Sequence, residues 1–287
     1  MTVIIGVDWG STHLRIYRLE GGVCVDKIHS TMGAKELIGK GSHAFERVFV
    51  DAAGSWIDDA QAIYVSGMAT SKNAWFETSY IDCPCDLRKL GAGALQTAIQ
   101  GKPVFLLPGI ADTIGPDVIR GEEVQLLGLS GEGKQRVVVL PGTHSKWVQI
   151  SGFRILGFRT FMTGEVFELA RYQSLGGRLA EGEGFDRKAF ENGLAQSEAG
   201  LLNSLFSARP RVLLGNMKAT ATHSFLSGVT IGSEVREAQT VFDITDKELL
   251  LHADGHLATL YMQALSFLGL DYSHVSASAT SKGFNLL

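Results

Sequence analysis

The sequence predicts an α/β protein with two similar domains. Two apolar, strand-like runs, at 3–7 and 137–140, each lead into a short turn rich in Gly, Thr and a neighbouring hydroxyl group. Each run also opens the same order of elements, a meander of strands followed by helices. The chain has 287 residues, of which 45% are hydrophobic and 20% charged. It can therefore fold as one large or two moderate globular domains.

The N-terminal half shows this order of elements clearly. Its first strand is continuously apolar, its second alternates with period two, and the Gly21-Gly22 turn leads into a third. A helix is predicted to begin at Ser42, because Phe45, Phe49 and Trp56 share one helical face. The predicted strands are 3–8, 14–19, 23–25, 62–65 and 103–107, and the predicted helices are 42–56 and 122–129.

The pattern restarts near Arg136, which sets the predicted limits of the two domains at 1–135 and 136–287. Three strand-like pieces again precede the helices, and a strand, a helix and a strand close the chain. The predicted strands are 136–140, 145–150, 153–161, 248–252 and 272–276, and the predicted helices are 165–173, 186–206, 223–238 and 256–268.

Composition and charge exclude several kinds of partner. With 26 basic and 30 acidic residues the net charge is −4, which provides no basic footprint for nucleic acid. No apolar run reaches the ~18 residues of a membrane span, and the N-terminus enters a strand without a signal-peptide pattern. Three cysteines are too few for a disulfide framework. We therefore expect a cytoplasmic protein with reduced thiols and no nucleic-acid or membrane partner.

The two turns share a chemistry that suits phosphate. A tight turn exposes backbone N–H groups and short hydroxyls that can donate to phosphate oxygens, and Asp8 can hold a divalent cation such as Mg²⁺. One such turn alone is equally typical of a strand end with an Asp cap, whereas a facing pair could hold a polyphosphate. For one of the residues, Lys146, a solvated strand position is an equal alternative. The predicted phosphate-binding residues are Gly10, Ser11, Thr12, Gly142, Thr143, His144 and Lys146.

Longer strings of residues carry a resemblance to a known family. They are Asp8-Trp9-Gly10-Ser11-Thr12-x-Leu14-Arg15, Gly67-Met68-x-x-Ser71, Val118-Ile119-Arg120-Gly121-Glu122-Glu123-x-Gln125, Leu140-Pro141-Gly142-Thr143-His144-Ser145-Lys146-Trp147-Val148, Phe158-Arg159-Thr160-x-Met162-Thr163-Gly164-Glu165 and Phe225-Leu226-Ser227-Gly228-x-x-Ile231-Gly232-x-Glu234. Their order and spacing cover nearly the whole chain. Through them the sequence resembles the 2-dehydro-3-deoxygalactonokinase family, within the superfamily of actin, heat-shock chaperones and sugar kinases.

The resemblance implies both a fold and a reaction. The implied fold is α/β, with two actin-like (ribonuclease H-like) domains, each a mixed sheet with helices, and a nucleotide cleft between them. The implied reaction transfers a phosphoryl group from ATP, with Mg²⁺, to O6 of 2-dehydro-3-deoxy-D-galactonate in D-galactonate breakdown. The first domain then carries the first phosphate turn and the sugar-binding loops. The second carries the other phosphate turn and the nucleotide-binding part.

A sugar hydroxyl that attacks phosphorus benefits from a carboxylate base. Glu122 and Glu123 follow Arg120-Gly121 at a predicted helix start, and Glu122 is preferred by a small margin. The alternative is that the pair only complements the helix dipole, which favours carboxylates at an N-terminus. Asp112 and Asp117, in the preceding loop, are the other candidates for the base.

The substrate of this family carries a carboxylate, which needs a cation in its pocket. Arg120 and Arg159 are the candidates, since a guanidinium matches a carboxylate at two points. Arg15, on the second predicted strand, can face the γ-phosphate or support Asp8.

Other candidates would line the bound sugar or the nucleotide. Met68, Ser71 and Trp75 are predicted to line the sugar, with core packing as the alternative for the Met and the Trp. Gly228 and Gly232, four residues apart, would let a helix approach another surface closely. That surface is either adenosine or another helix.

Two other functions are open on the same fold. One is a phosphohydrolase of nucleotides or polyphosphate. The other is an ATP-gated chaperone or filament protein, which the absence of a partner-binding domain disfavours. For the kinase the expected partners are a small sugar acid and ATP. The sequence leaves the oligomeric state open, with a homodimer as one option.

Overall fold

The structure is a computed structural model that describes residues 2–133, 135–276 and 278–287. Its contacts divide the chain into two compact units. The first comprises Met1–Gly133, Ile150–Gly157 and Ala277–Leu287, and the second comprises Lys134–Gln149 and Phe158–Ser276.

Groups of consecutive strands are separated by helices along the chain. The strands are β1 (Val3–Trp9), β2 (Leu14–Glu20), β3 (Val23–Ser30), β4 (Ala62–Gly67), β5 (Tyr80–Asp82), β6 (Cys85–Asp86), β7 (Leu95–Ile99), β8 (Lys102–Leu106), β9 (Gly109–Asp112), β10 (Asp117–Ile119), β11 (Gln135–Leu140), β12 (Ser145–Ser151), β13 (Arg154–Phe161), β14 (Glu248–His252) and β15 (Ser273–Val275). The α-helices are α1 (Ser42–Ala53), α2 (Trp56–Asp59), α3 (Glu122–Leu129), α4 (Thr163–Glu168), α5 (Arg187–Gln196), α6 (Leu201–Leu213), α7 (Thr222–Val241), α8 (Gly255–Phe267) and α9 (Ala279–Asn285).

A mixed six-stranded sheet forms the centre of the first unit, in the order β3-β2-β1-β4-β8-β7. β1 pairs antiparallel with β2 and parallel with β4. On one face of β1, Trp9 packs edge-on against Phe45 of α1, with ring centroids 5.3 Å apart. On the other face, the backbone at Gly6 lies against the Phe284 ring of α9. Burial on both faces explains why β1 reads as a continuous apolar run.

The last helix, α9, packs against α3 of the first unit. The two helices approach closely at glycines: a Cβ atom at Gly128 would lie 1.9 Å from the Ala279 carbonyl oxygen, and one at Gly283 would lie 1.9 Å from that of Val124. For this reason the first unit includes 277–287, outside the predicted limits of 1–135. It also includes the hairpin tip 150–157, whose β13 residues pair with β6.

The helix contact suggests a test of stability. Gly283→Ala is expected to lower the free energy of unfolding by about 3 kcal/mol, because the new methyl group has only backbone to displace. Gly131→Ala is the matched control: no atom lies within 4 Å of its Cβ position. We expect it to change stability by less than about 0.5 kcal/mol. Urea denaturation of both variants measures this difference, and equal midpoints would contradict the close crossing.

The sheet strands of the second unit follow the order β15-β14-β11-β12-β13. β14 pairs parallel with both β11 and β15. In the core of the second unit, Val137 and Val139 of β11 pack in one cluster with Phe190 of α5 and Tyr261 of α8. α7 is buried along most of its length, as expected for a helix that is covered on several sides.

Two predicted helices are each divided in the structure. The helix predicted at 42–56 begins at Ser42 but ends before Gly54, which has a φ of +52°, and α2 follows. The prediction of one continuous helix at 186–206 is wrong, because Gly200, with a φ of +86°, separates α5 from α6. Glycine adopts such φ values without the steric cost that other residues incur, and it commonly ends helices.

Gly228 and Gly232 serve helix packing, which corrects their predicted nucleotide role. A Cβ atom at Gly228 would lie 2.1 Å from the Phe190 carbonyl oxygen of α5. One at Gly232 would lie 2.6 Å from the Ser197 hydroxyl oxygen. Both glycines are buried and lie against α5 and the residue that follows it, which is the helix-packing alternative of their prediction.

The described residues contain no helix that is both long and apolar enough to cross a membrane. All three cysteines carry free thiols: Cys24 is exposed, Cys83 partly buried and Cys85 buried.

Candidate active site

The first phosphate turn joins β1 to β2. The Gly10 N–H donates to the His13 carbonyl oxygen at 2.9 Å and closes the turn. From the other side, the N–H groups of Ala34 and Lys35 donate to the carbonyl oxygens of Gly10 and Ser11, at 2.9 and 3.1 Å. The turn is therefore held by backbone hydrogen bonds, while the side chains of Ser11 and Thr12 stay exposed.

Asp8 lies beside this turn, directly opposite Arg15 in the antiparallel β1–β2 pair. Arg15 Nη1 donates to Asp8 Oδ2 at 3.1 Å, so Arg15 supports Asp8, one of its two predicted roles. Asp8 is only 6% exposed. Burial raises its pKa, the Arg15 cation opposes that rise, and the Glu122 carboxylate adds to it.

The surroundings of Asp8 fit a magnesium ion held partly by substrate. Among the described residues, no group of three or more His, Cys, Asp or Glu side chains is arranged to hold a metal. Mg²⁺ typically binds through one or two carboxylates together with water and substrate phosphates. Asp8 can supply such a carboxylate.

The ends of β1 and β4 meet the start of α3. Gly67, at the end of β4, has a φ of +94°, and a Cβ atom there would lie 2.6 Å from the Trp9 carbonyl oxygen. A Cβ atom at Gly121, which caps α3, would lie 3.3 Å from Gly67 Cα. This close approach at two glycines brings Glu122 and Glu123 to the same edge of the sheet as Asp8.

The two adjacent glutamates have different surroundings. Glu123 is fully buried: its Oε1 accepts from the Ser66 hydroxyl at 2.8 Å and its Oε2 from the Gly121 N–H at 2.6 Å. Burial, with a further contribution from the Glu122 carboxylate, raises the pKa of Glu123 to about 7. Glu122 is partly exposed, and its Oε2 accepts from the Arg120 N–H at 3.0 Å.

The pKa of Glu123 predicts a pH-dependent stability. It rises from 4.5 to about 7 on folding, so folding favours the protonated form. The contribution of Glu123 to the free energy of unfolding is fully present below pH 4.5. It is lost as pH rises through 7, and the total loss is about 3 kcal/mol. Glu123→Gln stays neutral, so its unfolding free energy relative to wild type should increase between pH 5 and pH 8. Exposed Glu132→Gln is the control, and an equal change in both variants would contradict the assignment.

Arg120 clamps the loop that follows β4. Its Nη1 donates to the carbonyl and hydroxyl oxygens of Thr70, both at 2.7 Å, and to the Thr78 hydroxyl at 2.6 Å. Its Nη2 donates to the Thr78 carbonyl oxygen at 3.1 Å, and the guanidinium lies 4.3 Å from the centre of the Tyr80 ring. These contacts correct the predicted role of Arg120, because both terminal nitrogens already hold the loop and are not presented to a substrate carboxylate.

The predicted sugar-lining residues divide into two groups. Met68 and Ser71 are partly buried, and the Ser71 hydroxyl donates to the Met68 carbonyl oxygen at 2.7 Å. Trp75 is 3% exposed and packs against Trp9 and Phe49, with ring centroids 5.7 and 5.9 Å away. The predicted sugar contact of Trp75 is therefore wrong. Trp75 packs in the core, which was the alternative interpretation of that residue.

The alternative base residues cap a turn between β9 and β10. Asp112 Oδ1 accepts from the N–H groups of Ile114 and Gly115 at 3.0 and 2.9 Å. Asp117 Oδ1 accepts from the Val118 N–H at 2.7 Å. These bonds explain both aspartates as turn residues.

The second phosphate turn lies between β11 and β12. Thr143 and His144 are exposed, and the Glu165 N–H of α4 donates to the Thr143 carbonyl oxygen at 3.1 Å. His144 Nε2 lies 2.5 Å from Glu165 Oε2. Lys146 is 6% exposed, and its Nζ donates to the His144 carbonyl oxygen at 2.7 Å. Lys146 is thus buried beneath the turn, so the alternative prediction, a solvated strand residue, is wrong.

Arg159, the other predicted carboxylate partner, lies on β13 in the second unit. It is partly buried, and its Nη1 donates to the Phe158 carbonyl oxygen at 2.6 Å.

A cavity of about 160 Å³ opens next to the second turn. Apolar side chains form much of its wall, and histidine and hydroxyl groups supply polar atoms. Its lining residues include Gly142, Phe167, His223, Ser227, Thr230, Ile231, His256 and Leu257. Sequence analysis missed this site. The available signal was the step from β14 through Asp254-Gly255 into α8, a tight turn between a buried strand and a helix.

Comparison with known proteins assigns this chain to a family. The chain matches the family described as 2-keto-3-deoxy-galactonokinase over residues 8–286. It is 31% identical over 276 residues to the 2-dehydro-3-deoxygalactonokinase of Escherichia coli (strain K12), covering 95% of this chain and 92% of that protein. A Sinorhizobium meliloti crystal structure assigned the same enzyme name has a TM-score of 0.86 at 28% identity, over 99% of this chain and 94% of that one.

A more distant likeness concerns the fold alone. A Porphyromonas gingivalis structure assigned as an N-acetylglucosamine kinase has a TM-score of 0.53 at 14% identity, over 100% of this chain and 98% of that one. The predicted fold class, a two-domain actin-like α/β architecture shared by ATPases and sugar kinases, is confirmed. The predicted family is confirmed as well. The chain belongs to the 2-keto-3-deoxy-galactonokinase family and is a phosphotransferase that acts on an alcohol group.

Proposed function

We propose that this protein uses ATP to phosphorylate O6 of 2-dehydro-3-deoxy-D-galactonate, a step of D-galactonate breakdown. The observation that carries the proposal is the meeting of three features at one sheet edge of the first unit. A hydrogen-bonded turn with exposed hydroxyls, the buried Asp8 and the partly exposed Glu122 all lie there. Phosphoryl transfer needs positioning, charge neutralisation and a base, and these groups can supply each of them.

Glu122 is the proposed general base. Its side chain is partly exposed, so a sugar hydroxyl can reach it. Glu123 is fully buried and its two oxygens hold Ser66 and Gly121. A proton transfer to Glu123 would require these contacts to open. The helix N-terminus at Gly121 keeps the Glu122 carboxylate in place through the dipole and the Arg120 N–H.

Gly10, Ser11 and Thr12 are the proposed donors to the transferred phosphate, and Asp8 is the proposed ligand of Mg²⁺. When bound, the cation would neutralise charge on the phosphate oxygens. Arg15 keeps the Asp8 carboxylate in place through the 3.1 Å ion pair.

In the second unit, the proposed nucleotide contacts are the turn at 142–144 and the adjoining cavity. The turn offers backbone N–H groups and the Thr143 hydroxyl to phosphate oxygens. The cavity offers the Phe167 and Ile231 side chains to an apolar base, and the Ser227 and Thr230 hydroxyls to its polar edge or to ribose. Arg159 stays the proposed cation for the sugar carboxylate, since a guanidinium matches a carboxylate at two points.

A coupled ADP-release assay tests the proposal. With Mg·ATP, we expect ADP formation to depend strongly on 2-dehydro-3-deoxy-D-galactonate, and NMR of the product should place the phosphate on O6. The phosphohydrolase alternative predicts phosphate release from ATP or polyphosphate without sugar. Sugar-independent release at the same rate would overturn the kinase proposal, and a phosphate on another hydroxyl would overturn the O6 assignment.

A further inference from the structure

Glu234 is a buried carboxyl group in the middle of α7 that the proposed reaction does not use. It is 2% exposed. Its Oε1 accepts from the Ser145 hydroxyl at 2.6 Å and from the Trp147 indole N–H at 2.7 Å, and its Oε2 accepts from the Tyr261 hydroxyl at 2.5 Å. The Thr163 hydroxyl also hydrogen-bonds to it.

This environment is costly for a carboxylate. Within the described part of the chain, every group recorded at Glu234 is a neutral donor, so hydrogen bonds alone offset the loss of water. Burial raises the pKa of Glu234, and the four hydrogen bonds lower it in part. A well-packed apolar residue would avoid this cost. What the carboxyl group provides, and an apolar side chain could not, is an acceptor for these four donors.

The geometry shows which part of the unit Glu234 holds. Ser145 directly follows the turn at 142–144, and Thr163 begins α4, which packs on the same turn. A Cβ atom at Gly164 would lie 2.8 Å from both the Gly142 carbonyl oxygen and Thr143 Cα. Ser145 is fully buried and Thr163 is 8% exposed. Their hydroxyls point inward to Glu234, while the turn itself faces outward.

We propose that Glu234 is a positioning residue for the second phosphate turn. Its carboxyl group holds the hydroxyl groups of Ser145 and Thr163 in place. Ser145 then holds the C-terminal end of the turn, and Thr163 holds α4, which packs on the turn. The turn then keeps its N–H groups and the Thr143 hydroxyl in one arrangement, ready for the phosphates of a nucleotide. The inference rests on the proposed function, because it takes the turn at 142–144 as a nucleotide site.

Three variants separate positioning from simple core stabilisation. Glu234→Gln keeps the size of the side chain, but its amide nitrogen cannot accept a hydrogen bond, so at least one donor loses its acceptor. Ser145→Ala removes only the donor next to the turn. Trp147→Phe is the matched control, because it also removes a donor to Oε1 of Glu234. Trp147 lies two residues farther from the turn along β12, where its ring stacks on Phe242.

The measurements are ADP binding by calorimetry in Mg²⁺, the KM for ATP, the KM for the sugar acid and the melting temperature. Glu234→Gln and Ser145→Ala should weaken ADP binding and raise the KM for ATP by about ten-fold, the equivalent of one lost hydrogen bond. The KM for the sugar acid should stay unchanged. Trp147→Phe should lower the melting temperature but change ADP affinity by less than about twofold.

Several outcomes would overturn the inference. If Ser145→Ala folds and binds ADP as tightly as wild type, Glu234 does not position the turn; this variant decides the question even if Glu234→Gln fails to fold. If Trp147→Phe weakens ADP as much as Ser145→Ala, Glu234 acts only in the core. A wild-type protein that binds no ADP would instead refute the nucleotide site itself, so the two failures are distinguishable.

Discussion

Replacing Glu122 by glutamine is expected to lower kcat by roughly 10²- to 10⁴-fold, the range of general-base contributions. Glutamine keeps the size of the side chain and can still accept from the Arg120 N–H, but it cannot take a proton from the sugar hydroxyl. Because the role assigned to Glu122 is toward the sugar, the KM for ATP should change by less than about twofold. Steady-state kinetics with each substrate varied in turn measure both values.

Glu123→Gln is the paired control for this prediction. Its loss of kcat should be smaller, because Glu123 is fully buried and holds Ser66 and Gly121. The reverse ranking of the two variants would assign the base to Glu123. If neither substitution lowers kcat by more than about threefold, far below the general-base range, the base role passes to Asp112 or Asp117.

Asp8→Asn should lower kcat by at least roughly 100-fold, a loss typical for a group that stabilises charge in the transition state. The fold should persist, because the asparagine carbonyl oxygen can accept from Arg15 and the position already disfavours a charge. Circular dichroism checks the fold, and kcat measured over a range of Mg²⁺ concentrations checks the role.

ADP calorimetry gives a second readout for Asp8. Wild type should bind ADP more tightly with Mg²⁺ than without it, and Asp8→Asn should lose most of that difference. Asp51→Asn, on the exposed face of α1, is the control and should behave as wild type. Near-normal turnover of Asp8→Asn at limiting Mg²⁺ would refute the metal assignment.

The sequence itself determined the features that depend on local patterns. A continuous apolar run followed by Gly, Ser and Thr predicts β1 and the turn after it, and the structure has β1 at Val3–Trp9. The helices predicted at 223–238 and 256–268 match α7 and α8 to within a few residues. These patterns are readable because the side chains that define them lie close together in the chain.

Other roles were decided by partners distant in sequence. Arg120 reaches Thr70, fifty residues earlier, and Trp75 joins a ring cluster with Trp9 and Phe49. Gly228 lies under α5. An exposed binding arginine and a structural one have the same local sequence signal, since the difference is the set of groups that the fold brings within hydrogen-bonding distance. The same holds for a sugar-lining and a core tryptophan.

The adjacent glutamates at the start of α3 illustrate this division most clearly. The sequence alone placed two carboxylates after Arg120-Gly121 and predicted that one of them acts as a base. It did not separate them beyond a small preference for Glu122, because neighbours in a helix share the same cap and the same dipole. The tertiary structure does so: successive residues point about 100° apart around the helix axis. Glu123 therefore turns into the interior toward Ser66, while Glu122 stays accessible from solvent.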